Sequence, residues 1–415
     1  MRKYRIFLLI TLIVIPTISC CYFSPNVKKD SELITDFEPL EWSDNYVFGT
    51  TFYPPRISVW NSCDNRLIRH YDFFKSESES ELFNNNGRWL RIITMQIIKK
   101  SIWCITSANQ CSLVKIDIET GKITFIDLKK SYEHLEYIPE ANNGKGAVLV
   151  VPFAQYMADF EIKLFNLDGS LLATYNIQAS DLDILTTTGQ YKNGAYCFCA
   201  STHNYIKNGE PSDGIYKIIK LDLESYTNEV IELNKEKVIG KNFIKNNFPE
   251  LYDKQYLTSF SVKTRNSLSN SYMIAIDFIS DDVGRFLFET DDLVSGNYIY
   301  TGLNIIYSKD NIKIFPRRYY KYDSQYIMIG NYGYDLYSIF FDNSVKETFF
   351  MPNAGIIFMD SRNDAVWCSK NAYNYSDELK KWEFEREGIY KINLKNKEVS
   401  LCFSDGTSTP ILQTH

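Results

Sequence analysis

The sequence predicts an all-β chain folded as a single β-propeller of seven four-stranded blades, the first blade completed by a strand from the C-terminus. Three observations predict it. Tyr and Phe are heavily used, 30 and 27 of 415 residues, which favours strands over helices. A strand–turn–strand phrase recurs about every 50 residues, the period of a four-stranded blade. The first copy of that phrase is one strand short, while an apolar scrap, "TPILQ" (409–413), stands alone at the far end.

The phrase is clearest where five residues repeat outright: "GIYKI" occupies 214–218 and again 388–392. An aromatic-Cys stretch precedes each copy, "GAYCFCAS" (194–201) and "DAVWCS" (364–369). A third relative, "SIWCITS" (101–107), precedes "SLVKIDIETGKITFIDL". Alternating apolar residues, β-branched or aromatic, mark the strands, and Gly, Asn and Asp clusters mark the turns. Weaker copies lie at 56–73, 159–177, 298–315 and 334–350. The polar residues opening the turns are Asn61, Asp117, Asn166, Asp222, Ser308, Asp342 and Asn393, one per unit, each expected between the third and fourth strands. A lone blade exposes two apolar faces, and a ring of blades buries them. The duplicated pentapeptide is therefore read as the third strand of two blades, carrying packing information rather than chemistry. In the first unit only "YVFGTTF", "RISVWNS" and "RLIRHYDF" are present, so 409–413 is expected to supply the missing strand of a domain spanning 46–415.

The N-terminus reads as an export signal. Arg2, Lys3 and Arg5 precede an apolar run from Ile6 to Ile15, too short to cross about 30 Å of hydrocarbon. Ile18-Ser19-Cys20 resembles the end of a bacterial lipobox, with Thr17 where Leu is usual. That resemblance implies a lipoprotein signal over 1–20, acylation at Cys20 (or Cys21), and a polar tether over 21–45. With the repeats, the chain resembles bacterial envelope lipoproteins bearing a β-propeller domain, in the broad YVTN-, WD40- and quinoprotein-like class. Neither the GH…WD pair of WD40 repeats nor a tryptophan-docking repeat is present, so no cofactor is implied. The resemblance implies a lipid-anchored protein of the cell envelope, facing the periplasm or the exterior.

Little in the sequence carries chemistry. A net charge of −6 without long blocks of one sign argues against nucleic-acid binding; "PRRYYKYDSQY" (316–326) mixes base and aromatic but alternates like a strand. The four histidines are His70, His134, His203 and His415, and no G-x-S-x-G, HExxH or P-loop surrounds them. Cys104 and Cys111 could face one another across a hairpin, making a candidate disulfide. Cys197 and Cys199, with His203, fall short of zinc-site spacing and read as buried thiols. The acidic strings "SDDVG" (280–284) and "ETDDL" (289–293) lack calcium-loop spacing, and no metal ligands are assigned. A metal-dependent hydrolase or lyase, with its site in the propeller channel, is the alternative function.

The three longest connections converge on one rim: 201–214 and 369–388 between second and third strands, and 234–256 between blades. They carry Tyr205, Phe248, Tyr252, Trp382 and Phe384. Aromatic residues on loops of a rigid scaffold are where binding is usually placed. The leading expectation is a non-catalytic binding or scaffold lipoprotein that holds an envelope protein on this face, with glycan capture by the aromatic rim as a further alternative.

Overall fold

The computed structural model describes residues 37–52, 55–73, 91–108, 110–130, 132–152, 159–178, 182–184, 189–202, 206–207, 210–211, 216–233, 246, 256–266, 271–279, 283–294, 298–307, 315–322, 325–332, 335–342, 345–351, 354–360, 364–376, 381–393, 395–396, 398–403 and 411–413. Among them the strands form seven antiparallel sheets of four or five strands, plus a short hairpin of Ile206–Lys207 with Glu210–Pro211. The second sheet shows the plan: Arg91–Ile98, Ser101–Ala108, Gln110–Asp117 and Ile123–Asp127 pair in chain order. The third repeats it with His134–Ile138, Ala147–Val151, Phe160–Asn166 and Leu171–Ile177. In the fourth, Leu182–Ile184 and Gln190–Lys192 both pair with Ala195–Thr202, followed by Tyr216–Asp222 and Asn228–Leu233.

The fifth sheet is Tyr256–Asn266, Ser271–Ile279, Val283–Thr290 and Ile299–Tyr307. The sixth is Phe315–Tyr322, Gln325–Tyr332, Asp335–Asp342 and Val345–Met351. The seventh is Ala354–Asp360, Ala365–Ser376, Lys381–Asn393 and Val399–Phe403. The first sheet has three consecutive strands, Tyr46–Phe52, Pro55–Asn61 and Arg66–Asp72. Its fourth is Ile411–Gln413, which pairs antiparallel with Tyr46–Phe52 and sets Leu412 opposite Gly49. Leading strands of successive sheets touch: Ile411–Gln413 meets Arg91–Ile98, which meets His134–Ile138, and Tyr256–Asn266 meets Phe315–Tyr322. Consecutive four-stranded meanders packed in this way make an all-β propeller.

The turns explain why the phrase repeats. Where the third strand gives way to the fourth, an Asp or Asn folds its side chain onto the following amides. Asp117 Oδ1 accepts from Thr120 N at 2.9 Å, Asp222 Oδ1 from Ser225 N at 2.7 Å, Asn393 Oδ1 from Lys395 N at 2.8 Å and Asn61 Oδ1 from Cys63 N at 2.9 Å. The backbone adds a second tie, with Asp117 N donating to Lys122 O at 2.9 Å, Asp222 N to Thr227 O at 2.8 Å and Asn393 N to Glu398 O at 2.9 Å. Amide donation from Ser225 and Glu224 holds the Asp222 carboxyl below its ordinary pKa. Six of the seven expected turn residues end the strand next to the outermost one. Ser308 does not: it follows Ile299–Tyr307, already the fourth strand of the fifth sheet. Two alternating runs split by polar residues look alike in sequence whether they share a sheet or open the next one.

The duplicated pentapeptide also lands differently than its letters suggest. Both copies run into third strands, but Ile218 stands four residues before the turn residue Asp222, whereas Ile392 stands one before Asn393. That offset is odd, so identical letters fall on opposite faces. The stretches in true register are "LVKID" (113–117), "IIKLD" (218–222) and "IYKIN" (389–393). Their lysines, Lys115, Lys220 and Lys391, stand across from Trp103, Cys197 and Trp367.

Period-two alternation sends each sheet's apolar residues to two neighbours. Cys104, Met95 and Val114 pack against Phe48, Val59 and Tyr71 of the first sheet. Trp103, Ile105 and Leu113 turn the other way, onto Leu135, Val148 and Val150 of the third. Leu149, Val151 and Ile162 then meet Tyr196, Phe198 and Ile219 of the fourth. The run Ala147–Val151 is buried throughout, which is why it is continuously apolar. Each such side chain stabilises the fold by about 1.5–3 kcal/mol. Polar ties cross the same seams: Lys115 Nζ donates to Leu167 O at 2.7 Å, and Lys163 Nζ to Leu128 O at 3.1 Å.

Two expectations change. Cys104 is a free, buried thiol opposite Val114, while Cys111 stands opposite Ser107, so the hairpin register keeps them from forming a bridge. Burial pushes the Cys104 pKa up to about 12. Residues 37–45, expected as part of a polar tether over 21–45, are instead docked onto the first two sheets, while 21–36 lie outside the described residues. The Phe37 ring packs edge-on against Tyr71 and Phe73, Leu40 N donates to Ile118 O at 2.8 Å, and Trp42 stacks on Phe48.

Candidate functional site

In the seventh sheet the two middle strands outrun their neighbours. Ala354–Asp360 pairs with Ala365–Ser376 only as far as Lys370, and Val399–Phe403 reaches only Ile389 on Lys381–Asn393. From Asn371 to Ser376, and from Lys381 to Arg386, the middle strands pair with each other alone among the described residues. At the base, Lys370 faces Gly388 and Asn371 faces Arg386, leaving Glu387 as a bulge, a feature that bends and twists a strand. Beyond it the register sets Tyr373 opposite Phe384 and Tyr375 opposite Trp382. Alternate positions of paired strands share a face, so these four aromatic positions lie together. Ala372 with Glu385, Asn374 with Glu383, and Ser376 with Lys381 occupy the other face.

Trp382 and Phe384 are thus not loop residues, as the sequence reading had them, but members of a two-stranded ribbon that projects from the sheet. Tyr373 and Tyr375 join them and were missed. The available signal was the period of two on both sides of "DELK" (377–380), "YNYS" before it and "WEFE" after it. The other rim candidates, Tyr205, Phe248 and Tyr252, and the lipidation candidates Cys20 and Cys21, lie outside the described residues.

The ribbon and the docked N-terminal segment sit on opposite rims. In an antiparallel meander the connection from second to third strand and the turn from third to fourth lie at opposite ends. The ribbon is the first kind. The segment at 40–45 binds the second kind: Leu40 N donates to Ile118 O beside the Asp117 turn, and Ser62 N of the first sheet's turn donates to Asn45 O, each at 2.8 Å.

Elsewhere the candidate chemistry is used structurally. Ser58 Oγ lies 2.7 Å from His70 Nδ1, and Asp72 follows on the same face, a grouping with the residue types of a hydrolytic triad. Ser58, however, is fully buried, and Asp72 is held by Arg56 at 2.9 Å, so no substrate carbonyl can reach the hydroxyl. Of the acidic string 289–293, Asp292 receives Lys192 Nζ and the Val294 amide, each at 2.9 Å. His134 is neutral at physiological pH, burial having lowered its pKa to about 4. Among the described residues no three His, Cys, Asp or Glu side chains cluster as a metal site.

No protein-family model and no curated protein matches the chain. Similar solved structures include a functionally unknown protein of Desulfotomaculum acetoxidans, at 10% identity and TM-score 0.46, over 89% of this chain and 98% of that one. Drosophila Semaphorin 2a is similar at 10% identity and TM-score 0.49, over 81% and 72%. The β-propeller domain of the trilobed protease of Pyrococcus furiosus is similar at 9% identity and TM-score 0.33, over 76% and 98%. At these levels the strand pairing within this chain carries the fold assignment.

Proposed function

We propose that this chain is a non-catalytic binding or scaffold lipoprotein of the bacterial cell envelope, anchored through acylated Cys20, that presents one propeller rim to a protein partner. In this reading the seven sheets are seven blades, and Ile411–Gln413 locks the ring by completing the first. The observation that carries the function is the ribbon. A scaffold strand pair that leaves its sheet, and gathers Tyr373, Tyr375, Trp382 and Phe384 on one face, has the aromatic composition of a binding hot spot. The engagement of Ser58, His70 and Asp292 within the fold favours binding over hydrolysis.

Mild cross-linking in intact cells, followed by detergent extraction and mass spectrometry, tests it. A reproducible partner should disappear in a Trp382→Ala, Tyr205→Ala double variant whose melting temperature is unchanged. If the protein emerges alone with every cross-linker length, or the partner persists in the variant, the reading is wrong. Labelled fatty acid should enter the wild type and not Cys20→Ala; incorporation into both would move the anchor to Cys21.

A further inference from the structure

This inference rests on the reading that an acylated Cys20 anchors the chain. We infer that the rim opposite the ribbon lies on the surface of the lipid bilayer, with the apolar side chains that begin the outermost strands set into the headgroup layer.

Among the described residues five large apolar side chains are exposed: Leu67, Leu171, Tyr226, Val230 and Ile299. All five stand at the same end of their sheets. Leu171 and Ile299 open the outermost strands of the third and fifth sheets. Leu67 is second in that of the first, Val230 is third in that of the fourth, and Tyr226 lies in the turn just before it. Farther along these strands Tyr71, Ile177 and Leu233 are buried. Apolar residues exposed singly are ordinary, but their confinement to one rim calls for a cause. The turns that form this rim in the first four sheets, 62–65, 99–100, 118–122, 139–146, 167–170, 193–194 and 223–227, are all described. Bonds between sheets hold them level. Lys99 Nζ donates to Lys145 O at 3.4 Å, the Tyr175 hydroxyl to Asp222 O at 3.1 Å, and Lys192 Nζ to Asp292 Oδ2 at 2.9 Å.

The spacing favours lipid over protein. Leu67, Leu171 and Ile299 belong to three different sheets, with polar turns between them. A protein hot spot gathers its anchors in one place. A bilayer surface accepts apolar side chains wherever they fall, and Tyr suits headgroup depth. Lys99, Lys122 and Lys145 are exposed on the rim beside Glu119, Glu140 and Asp168, so the attraction rests on apolar insertion rather than on charge. The chain path agrees. Segment 37–45 docks on this rim, and the seventeen residues from 21 to 37 span at most about 60 Å. An acyl chain held that close keeps the bilayer at high effective concentration, so a few shallow insertions suffice. The ribbon then faces away from the membrane.

The test places a photoreactive residue, p-benzoylphenylalanine, in the full chain in intact cells. It replaces Leu171, Tyr226 or Ile299 at the rim, or Thr174, Asn176 or Glu232, which are exposed farther along the outermost strands. Leu67 stands in for any rim position whose substitution lowers expression. After irradiation, mass spectrometry should find about tenfold more phospholipid adduct at the rim positions than at the others. With the probe at Tyr226, Leu171→Asp together with Ile299→Asp should cut that adduct about fivefold. Labelled fatty acid, followed in the same cells, reads the anchor separately. Rim adducts with lipid but no fatty-acid incorporation keep this inference and remove the anchor. Incorporation with equal lipid adducts at both sets of positions, or an adduct at Tyr226 unchanged by the two aspartates, keeps the anchor and overturns the inference. Protein adducts alone at the rim overturn it and make the rim a protein interface. Absence of adducts at every rim position overturns it as well.

Discussion

The Lys115 ammonium lies 5.6 Å from the centroid of the Trp103 ring across the strand pair and donates at 2.7 Å to the Leu167 carbonyl of the next sheet. One cation therefore ties a buried indole to a neighbouring turn. Lys115→Met keeps much of the stem but removes charge and donor. Denaturant unfolding should show a loss of about 2–3 kcal/mol. Lys391→Met, which removes only the contact 5.1 Å over Trp367, should cost about 1 kcal/mol.

Gln190 clasps the fourth sheet to the fifth. It is buried, donates from Nε2 to Asp291 O at 2.5 Å and accepts from Leu293 N at 2.9 Å. Gln190→Ala leaves both backbone groups without this partner and should cost about 2–4 kcal/mol. Lys192→Ala breaks the adjacent, partly exposed ion pair to Asp292 and should cost under about 1 kcal/mol. Urea midpoints of the two variants compare a buried amide with a surface charge at the same seam.

His134 makes stability depend on acid. Burial lowers its folded pKa from 6.5 to about 4, so between those values the unfolded chain binds a proton that the folded chain refuses. Its contribution is present above pH 6.5 and is lost as pH falls toward 4, by about 3 kcal/mol. The stability of wild type relative to His134→Leu should therefore fall by about 3 kcal/mol over that window. A difference independent of pH would mean that the imidazole is solvated when folded.

Gly121 lets the N-terminal segment dock. Its φ is +70°, and a Cβ there would stand 2.2 Å from the Phe37 carbonyl oxygen. Gly121→Ala combines left-handed strain with that collision and should cost about 1–2 kcal/mol. Limited proteolysis should cut near Trp42 faster in the variant, while Gly144→Ala, with open space around its Cβ and φ of +76°, should leave that site protected.

Much of the architecture was legible because turns and period-two strands are local signals. Asp117, Asp222 and Asn393 could be read as turn openers since each makes its bonds within three residues. The fifth unit misled because nothing local tells Ile299–Tyr307 that it closes one sheet while Phe315–Tyr322 opens another. The face of a repeated letter was equally hidden: Lys217 and Lys391 share a pentapeptide, yet only Lys220 stands where Lys391 does, and register depends on distance to the turn. The ribbon was read as a loop because acidic and lysine residues around 377–381 outweighed the alternation beside them. Docking of Phe37 and Leu40 needed contacts with residues some 30 to 80 positions away, which no window on the sequence contains.

Ile411–Gln413 belongs to the sheet begun by Tyr46–Phe52. The two partners lie about 360 positions apart, so this sheet gains its fourth strand only after the six intervening sheets have been synthesised. Until then the side of Tyr46–Phe52 that receives Leu412 stays open to any passing strand. A chain cut short ahead of Ile411 would keep that edge unpaired however well its other sheets had formed.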